Sequence, residues 1–226
     1  MDTIILANWK AHLSPPRAAA WLDRFLALHD GRAGLEVVLA VPTLCMEKAY
    51  HRLRETEIAL AAQSVSPYPP GGYTGATPAA WFAGLTTYAL LGHQERRRYF
   101  HEDVPEVAAQ VRESVAAGLC PVICVDHASA AAQIAALDSG DIEQSLFAYT
   151  PQDAVSLEKA RELSEISELA GLLADLTGGR PVLYGGGVDQ GNAAAIASLS
   201  GISGIMVGRA SLDPDRFAAL VRSLVA

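Results

Sequence analysis

Three cysteines in 226 residues, Cys45, Cys120 and Cys124, are too few for a disulfide framework, and none of their spacings is the Cys-x-x-Cys of a zinc site. A reducing, cytoplasmic setting is the expectation. Basic residues are also scarce: 17 Lys plus Arg against 25 Asp plus Glu give a formal net charge of −8. That sign argues against a general binder of nucleic acid or of anionic membranes, and neither is expected as a partner. Apolar runs such as 146–149 and 181–184 fall far short of the roughly 20 residues of a spanning helix. The first residues, strand-like and carrying Asp2, do not read as a secretory leader, which needs a basic segment, an apolar stretch and a cleavage site. With 50% apolar and only 19% charged residues, the chain has enough apolar surface to offset the entropy of ordering, which excludes a disordered protein.

What is present is alternation. Short apolar runs bounded by turn residues recur at 3–7, 37–41, 58–62, 88–91, 121–125, 146–149, 181–184 and 204–207. Each is followed by a segment with helical spacing. The first helix is expected to start at Pro15 under a Ser14 cap, with Trp21, Leu22, Phe25 and Leu28 on its apolar face. Others are expected over 46–53, 78–85, 104–117, 129–137, 192–199 and 214–225, and a long one is expected through Leu157, Leu163, Ile166, Leu169 and Leu173. Eight units of about 28 residues lie near the lower size limit of a closed parallel barrel. An open, doubly wound sheet is the structural competitor. No linker or low-complexity tract divides the chain, so one domain over 1–226 is expected; 64–75 is its one long irregular loop.

If the strands are parallel, the residues just after each one gather at one end, where sites in such folds form. Asn8 and Lys10 follow the first run, Gln63 the third, and His93, Glu95, Arg96 and Arg97 the fourth. Thr150 follows the sixth, Gly185-Gly186-Gly187 the seventh, and Gly208-Arg209 the eighth.

Five segments together carry a family resemblance: Asn8-Trp9-Lys10; Ala62-Gln63-Ser64-Val65-Ser66 with Tyr73-Thr74-Gly75; Leu91-Gly92-His93-Gln94-Glu95-Arg96-Arg97; Tyr184-Gly185-Gly186-Gly187-Val188; and Val207-Gly208-Arg209-Ala210-Ser211-Leu212. In that order and spacing they resemble triosephosphate isomerase along nearly the whole chain. The resemblance implies a (β/α)₈ TIM barrel, no cofactor or metal, and a homodimer assembled through the 64–75 loop, with Gln63 and Thr74 on it. It also implies a small phosphorylated sugar as substrate, interconverted between aldose and ketose by moving a proton between adjacent carbons through an enediolate. A glutamate base paired with a neutral histidine is that family's known arrangement and is inferred from the resemblance alone. By position, Asn8 resembles the substrate-contacting asparagine, Lys10 the electrostatic lysine, His93 the electrophile and Glu95 the acid beside it. For Glu95, Arg96 and Arg97, an ion-pair network holding the loop is an equal alternative. Gly185, Gly186, Gly187 and Gly208 resemble the phosphate-binding turns.

The departures are as informative. Where the family's sixth strand ends Ala-Tyr-Glu-Pro, this chain reads Ala148-Tyr149-Thr150-Pro151. Threonine carries no usable base at neutral pH, and general-base catalysis is worth about 10²- to 10⁴-fold, so strong impairment is expected. Residues 151–156 lack the family's Gly-Thr-Gly cover and are expected to run straight into the helix, leaving the loops after the fifth and sixth strands shortened. Asp153 is the nearest carboxylate and an alternative base, although a helix start is an equally good home for it. Gln94 and Gly187 each replace a serine. Arg209 replaces a glycine at a phosphate turn, where it could clamp an anion or swing out to a surface carboxylate. Three readings therefore stand: an impaired isomerase, for the usual triose phosphates or for another small sugar phosphate; a non-catalytic sugar-phosphate-binding protein; or an interaction module using the dimer loop alone.

Overall fold

A computed structural model describes residues 2–31, 33–151 and 159–224. Its eight strands are β1 (Thr3–Asn8), β2 (Leu35–Val41), β3 (Ala59–Ala62), β4 (Tyr88–Leu91), β5 (Cys120–Val125), β6 (Leu146–Tyr149), β7 (Val182–Tyr184) and β8 (Gly204–Val207). Each pairs in parallel with the next, and β8 returns to β1 in the register Ile4↔Gly204 to Ala7↔Val207, so the sheet closes and the open-sheet alternative is excluded. The helices are α1 (Pro15–Leu26), α2 (Met46–Leu53), α3 (Gln94–Phe100), α4 (Val104–Ala116), α5 (Ala130–Ala135), α6 (Ser139–Glu143), α7 (Leu163–Thr177), α8 (Ala193–Ala197) and α9 (Pro214–Ser223).

The period-2 pleat divides the strand side chains between two cores. Leu6, Ala40, Leu90, Cys124, Ala148 and Met206 belong to the cluster that fills the lumen. Their neighbours Ile5, Leu39, Leu91, Ile123, Phe147 and Ile205 pack outward with the helices, where Trp21, Phe25 and Phe217 form one aromatic group. Extending the lumen alternation one step past the last apolar layer gives Asn8, Gln63, Gly92, Asp126, Thr150, Gly185 and Gly208. The barrel thus changes from an apolar plug to a polar mouth within one pleat.

Several sequence expectations need correction. Residues 78–85 form only a short 3-10 turn, Ala79–Trp81, because Gly84 adopts φ +78 and breaks the run. The polar stretch after β4 contains α3, which the periodicity missed. Ser14 occupies the cap position of α1 without a side-chain bond, and Pro15 and Pro16, which have no amides, leave Arg17 as the first one it could hold. α7 starts at Leu163, and Glu162 before it is extended. The direct run into the helix expected for 151–156, and Leu157 expected on that helix, fall on residues 152–158, which lie outside the described residues. Asp153, the alternative base, lies outside the described residues.

Candidate active site at the mouth of the barrel

The end of β1 is shaped by its own polar groups. Lys10 adopts φ 49, in the left-handed region. Its amide donates to Asn8 Oδ1 at 3.0 Å, while Gln63 Nε2 donates to the Lys10 and Ala40 carbonyls at 2.9 Å each. Gln63, expected on a dimer loop, thus holds the backbone that aims Lys10. The lysine Nζ meets Glu95 Oε1 at 2.7 Å, with both side chains mostly sheltered.

His93 caps α3: its Nδ1 accepts the Glu95 amide proton at 3.2 Å, which assigns the ring proton to Nε2. Burial pushes its pKa down to about 4 against the attraction of Glu95, and the Lys10 and Arg97 cations push the same way as burial. The ring is therefore a neutral N–H donor across physiological pH. Glu95 Oε2 lies 3.7 Å from Nδ1 with no proton between them, while its Oε1 pairs with Lys10 and its amide with Nδ1, so these three residues form one cluster.

The two arginines after it serve the scaffold. Arg96 Nε donates to the buried Glu102 at 2.5 Å, and Glu102 also accepts from Gln110 at 2.9 Å and Ser64 at 3.4 Å, tying α3 to the loop after β3. For Arg96 the ion-pair alternative holds. Arg97 donates to the Gly92 carbonyl at 2.8 Å, the Cys124 carbonyl at 2.6 Å, Ser129 Oγ at 2.7 Å and Gln133 Oε1. Thr74 stands exposed near the stacked Tyr68 and Tyr73, whose ring centres are 4.4 Å apart.

The β6 side differs. Thr150 is 2% exposed; its amide donates to the Val125 carbonyl at 2.8 Å, and its hydroxyl reaches the same oxygen at 3.5 Å. It also bonds the buried Cys124 thiol, whose pKa burial pushes up to about 12. No carboxylate stands at this position. Beyond it the chain returns over β7: the Arg161 amide donates to Tyr184 Oη at 3.0 Å. Gly187, at φ +59, lies directly under the Lys159–Ala160 backbone, which any Cβ there would overlap. Gly186 packs against Tyr184 Oη and Pro151. Gly208 faces the Lys10 stem, and a short 3-10 turn, Arg209–Ser211, follows it. Arg209 is exposed and pairs with no carboxylate among the described residues, so the surface-carboxylate alternative is not realised there.

The structure thus brings Asn8, Lys10, His93, Glu95, Thr150 and the β7 and β8 glycine turns to one end. Sequence reasoning missed the reach of Arg97, the Tyr184 contact and Asp126. Asp126 is buried and accepts from the Ser129 amide at 2.8 Å, with Ser129 Oγ 3.4 Å from its own amide. An aspartate just after a strand, able to fold its side chain back onto the following amides, is a legible turn signal. Among the described residues no group of His, Cys, Asp and Glu has a metal-binding arrangement, and no helix is long and apolar enough to cross a membrane.

Comparison with known proteins places these features in context. Residues 3–224 match the family described as "TIM: Triosephosphate isomerase". A triosephosphate isomerase of Symbiobacterium thermophilum is 31% identical over 242 residues, covering 96% of this chain and 94% of that protein. One from Synechococcus sp. CC9902 is 31% identical over 239 residues, covering 99% and 98%. A crystal structure of triosephosphate isomerase from Bartonella henselae superposes with a TM-score of 0.86 over 99% of both chains at 23% identity, a likeness of fold.

Proposed function

The chain belongs to the triosephosphate isomerase family, and on that premise we propose that it binds a small phosphorylated sugar at the barrel mouth while its proton transfer is strongly impaired. The reaction needs four things: a base for the carbon-bound proton, an electrophile for the carbonyl, a cation for the developing charge, and amides for the phosphate. His93 Nε2–H suits the second, Lys10 the third, and the turns at Gly186, Gly187 and Gly208, supplemented by Arg209, the fourth. Asn8 positions the ligand beside Lys10. Glu95 pairs with the Lys10 ammonium through its carboxylate and fixes the His93 tautomer through its backbone amide. The first need goes unmet at Thr150, whose buried hydroxyl is already engaged with the Val125 carbonyl. That observation carries the reading, and it equally favours a second one, a sugar-phosphate-binding protein that does not turn its ligand over. Asp153 as a replacement base, or an isomerase for a different small sugar phosphate, are the remaining forms of the proposal.

Two further features complete it. Exposed Leu44, Tyr68, Tyr73, Trp81, Tyr99 and Phe100 occur on the loops and helices that follow β2, β3 and β4. An apolar surface of this kind supports a homodimer with Gln63 and Thr74 near its interface. Free cysteines fit a reducing cytoplasm, and the chain works as one domain. A coupled assay with glyceraldehyde 3-phosphate and dihydroxyacetone phosphate, run on the wild type and Thr150→Glu, tests the catalytic claim; wild-type turnover within tenfold of an ordinary family member overturns it. Calorimetry with glycerol 3-phosphate tests binding, and sedimentation tests the dimer.

A further inference from the structure

We propose that Arg97 is a positioning residue: it clamps the turn that carries His93 to the end of β5, and so fixes where the imidazole meets a ligand. The clamp rests on geometry. Arg97's guanidinium donates to four acceptors on separate pieces of chain: the carbonyl of Gly92, the residue before His93; the carbonyl of Cys124 in β5; Ser129 Oγ in the β5–α5 turn; and Gln133 Oε1 in α5. A planar fork satisfies such a set, whereas a single ammonium does not. The clamped turn has little freedom of its own. Gly92 sits at φ +63 with Val107 and Gln133 against the space a Cβ would take, so the chain enters α3 along one path. Reciprocal bonds between Asp126 and Ser129 fix the other jaw, and the Asp126 carboxylate faces the Arg97 cation.

α3 is short and solvent-facing, with no buried side chain of its own, so packing alone does not orient it. Its first turn carries His93 and Glu95, and both Arg96 and Arg97 amides bond back to the His93 carbonyl, at 2.8 and 3.2 Å. Glu95 ties that turn to Lys10 after β1, and Arg97 ties it to β5 and α5. The charged groups around the imidazole are Glu95, Lys10 and Arg97. Removing Arg97 takes away one of the two cations that disfavour protonation, so the clamp has both a geometric and an electrostatic arm.

The test reads His93 itself. Histidine-selective NMR, with the His93 resonance assigned through His93→Gln, follows the ring's titration and tautomer, while calorimetry follows binding of glycerol 3-phosphate and of inorganic phosphate. In Arg97→Gln the His93 midpoint is expected to rise by about half a pH unit or more. Glycerol 3-phosphate, long enough to reach the ring, is expected to bind about tenfold more weakly, while inorganic phosphate, held by the turns alone, keeps its affinity. Arg97→Lys restores the charge without the fork, so it returns the midpoint but not the affinity. A merely structural role would move neither quantity in a folded variant. Unchanged midpoint and affinity in Arg97→Gln overturn the proposal. Should that variant fail to fold, Arg97→Lys and Ser129→Ala decide: weaker glycerol 3-phosphate binding in both, about twofold for Ser129→Ala, supports the clamp, and wild-type affinity in both refutes it. The ligand arm rests on the sugar-phosphate reading. If the wild type binds no glycerol 3-phosphate, that reading fails, and the His93 titrations of Arg97→Gln and Arg97→Lys still decide the clamp.

Discussion

The β1–β4 side of the mouth and its β6 side obey different rules. On the first, the polar side chains are tied to the backbone or to one another: Asn8 holds the Lys10 amide, Gln63 the Lys10 carbonyl, Glu95 the Lys10 ammonium, and the Glu95 amide the His93 ring. On the second, the Thr150 hydroxyl lies 3.5 Å from the Val125 carbonyl, and no carboxylate stands in its place. On the function proposed above, one ring of strands keeps a polarising, anion-attracting half while the other half lacks its base. The two halves meet at Cys124, whose carbonyl accepts from Arg97 and whose thiol bonds Thr150.

The sharpest way to break this contrast is to repair the deficient side. Thr150→Glu is expected to raise turnover of triose phosphate by about 10²- to 10⁴-fold in the coupled assay, and a variant no faster than wild type would mean that the β1–β4 half is not competent either. The next effect concerns pH. With the native His93 pKa depressed from 6.5 to about 4, the unfolded chain takes up the proton first as pH falls. The contribution of this residue to stability is therefore complete above about pH 6.5 and lost on acidification toward pH 4, by up to about 3 kcal/mol. Urea titrations at pH 7 and 5 should show a smaller loss in His93→Gln than in the wild type. Lys10→Ala removes the cation nearest Glu95 and Gly208 and is expected to weaken glycerol 3-phosphate binding by about 10- to 100-fold in calorimetry. The smallest effect lies on the border between the halves: Tyr184→Phe loses the bond from the Arg161 amide at a cost of about 1 kcal/mol. Faster amide exchange at Arg161 is the expected sign.

Much of this was legible in the sequence, for identifiable reasons. Strands at 88–91, 146–149 and 204–207 coincide with the structure because each is a continuous apolar run ended by a turn residue or a polar one. α3 escaped notice because Gln94 through Arg98 is polar all round; what makes it a helix is the His93 cap and the guanidinium contacts that tie it down. After β6, the described helix α7 starts at Leu163 and carries the expected Ile166 and Leu173 on its buried face. In the site, Asn8, Lys10, His93 and Glu95 converge as their places after β1 and β4 suggest. The roles of Arg97 and Tyr184 depend on distant partners, 27 to 36 and 23 residues away, respectively, which local pattern does not reveal.

The left-handed backbone of Lys10 has a consequence for how this chain can change. A residue with a Cβ sits there about 1 kcal/mol above its relaxed state, and glycine would be the comfortable occupant. Random replacement at codon 10, screened only for thermal endurance, should therefore drift toward glycine and discard the ammonium group. Retention of lysine under selection for function would mark the tension between durability and ligand capture as a living one in this barrel.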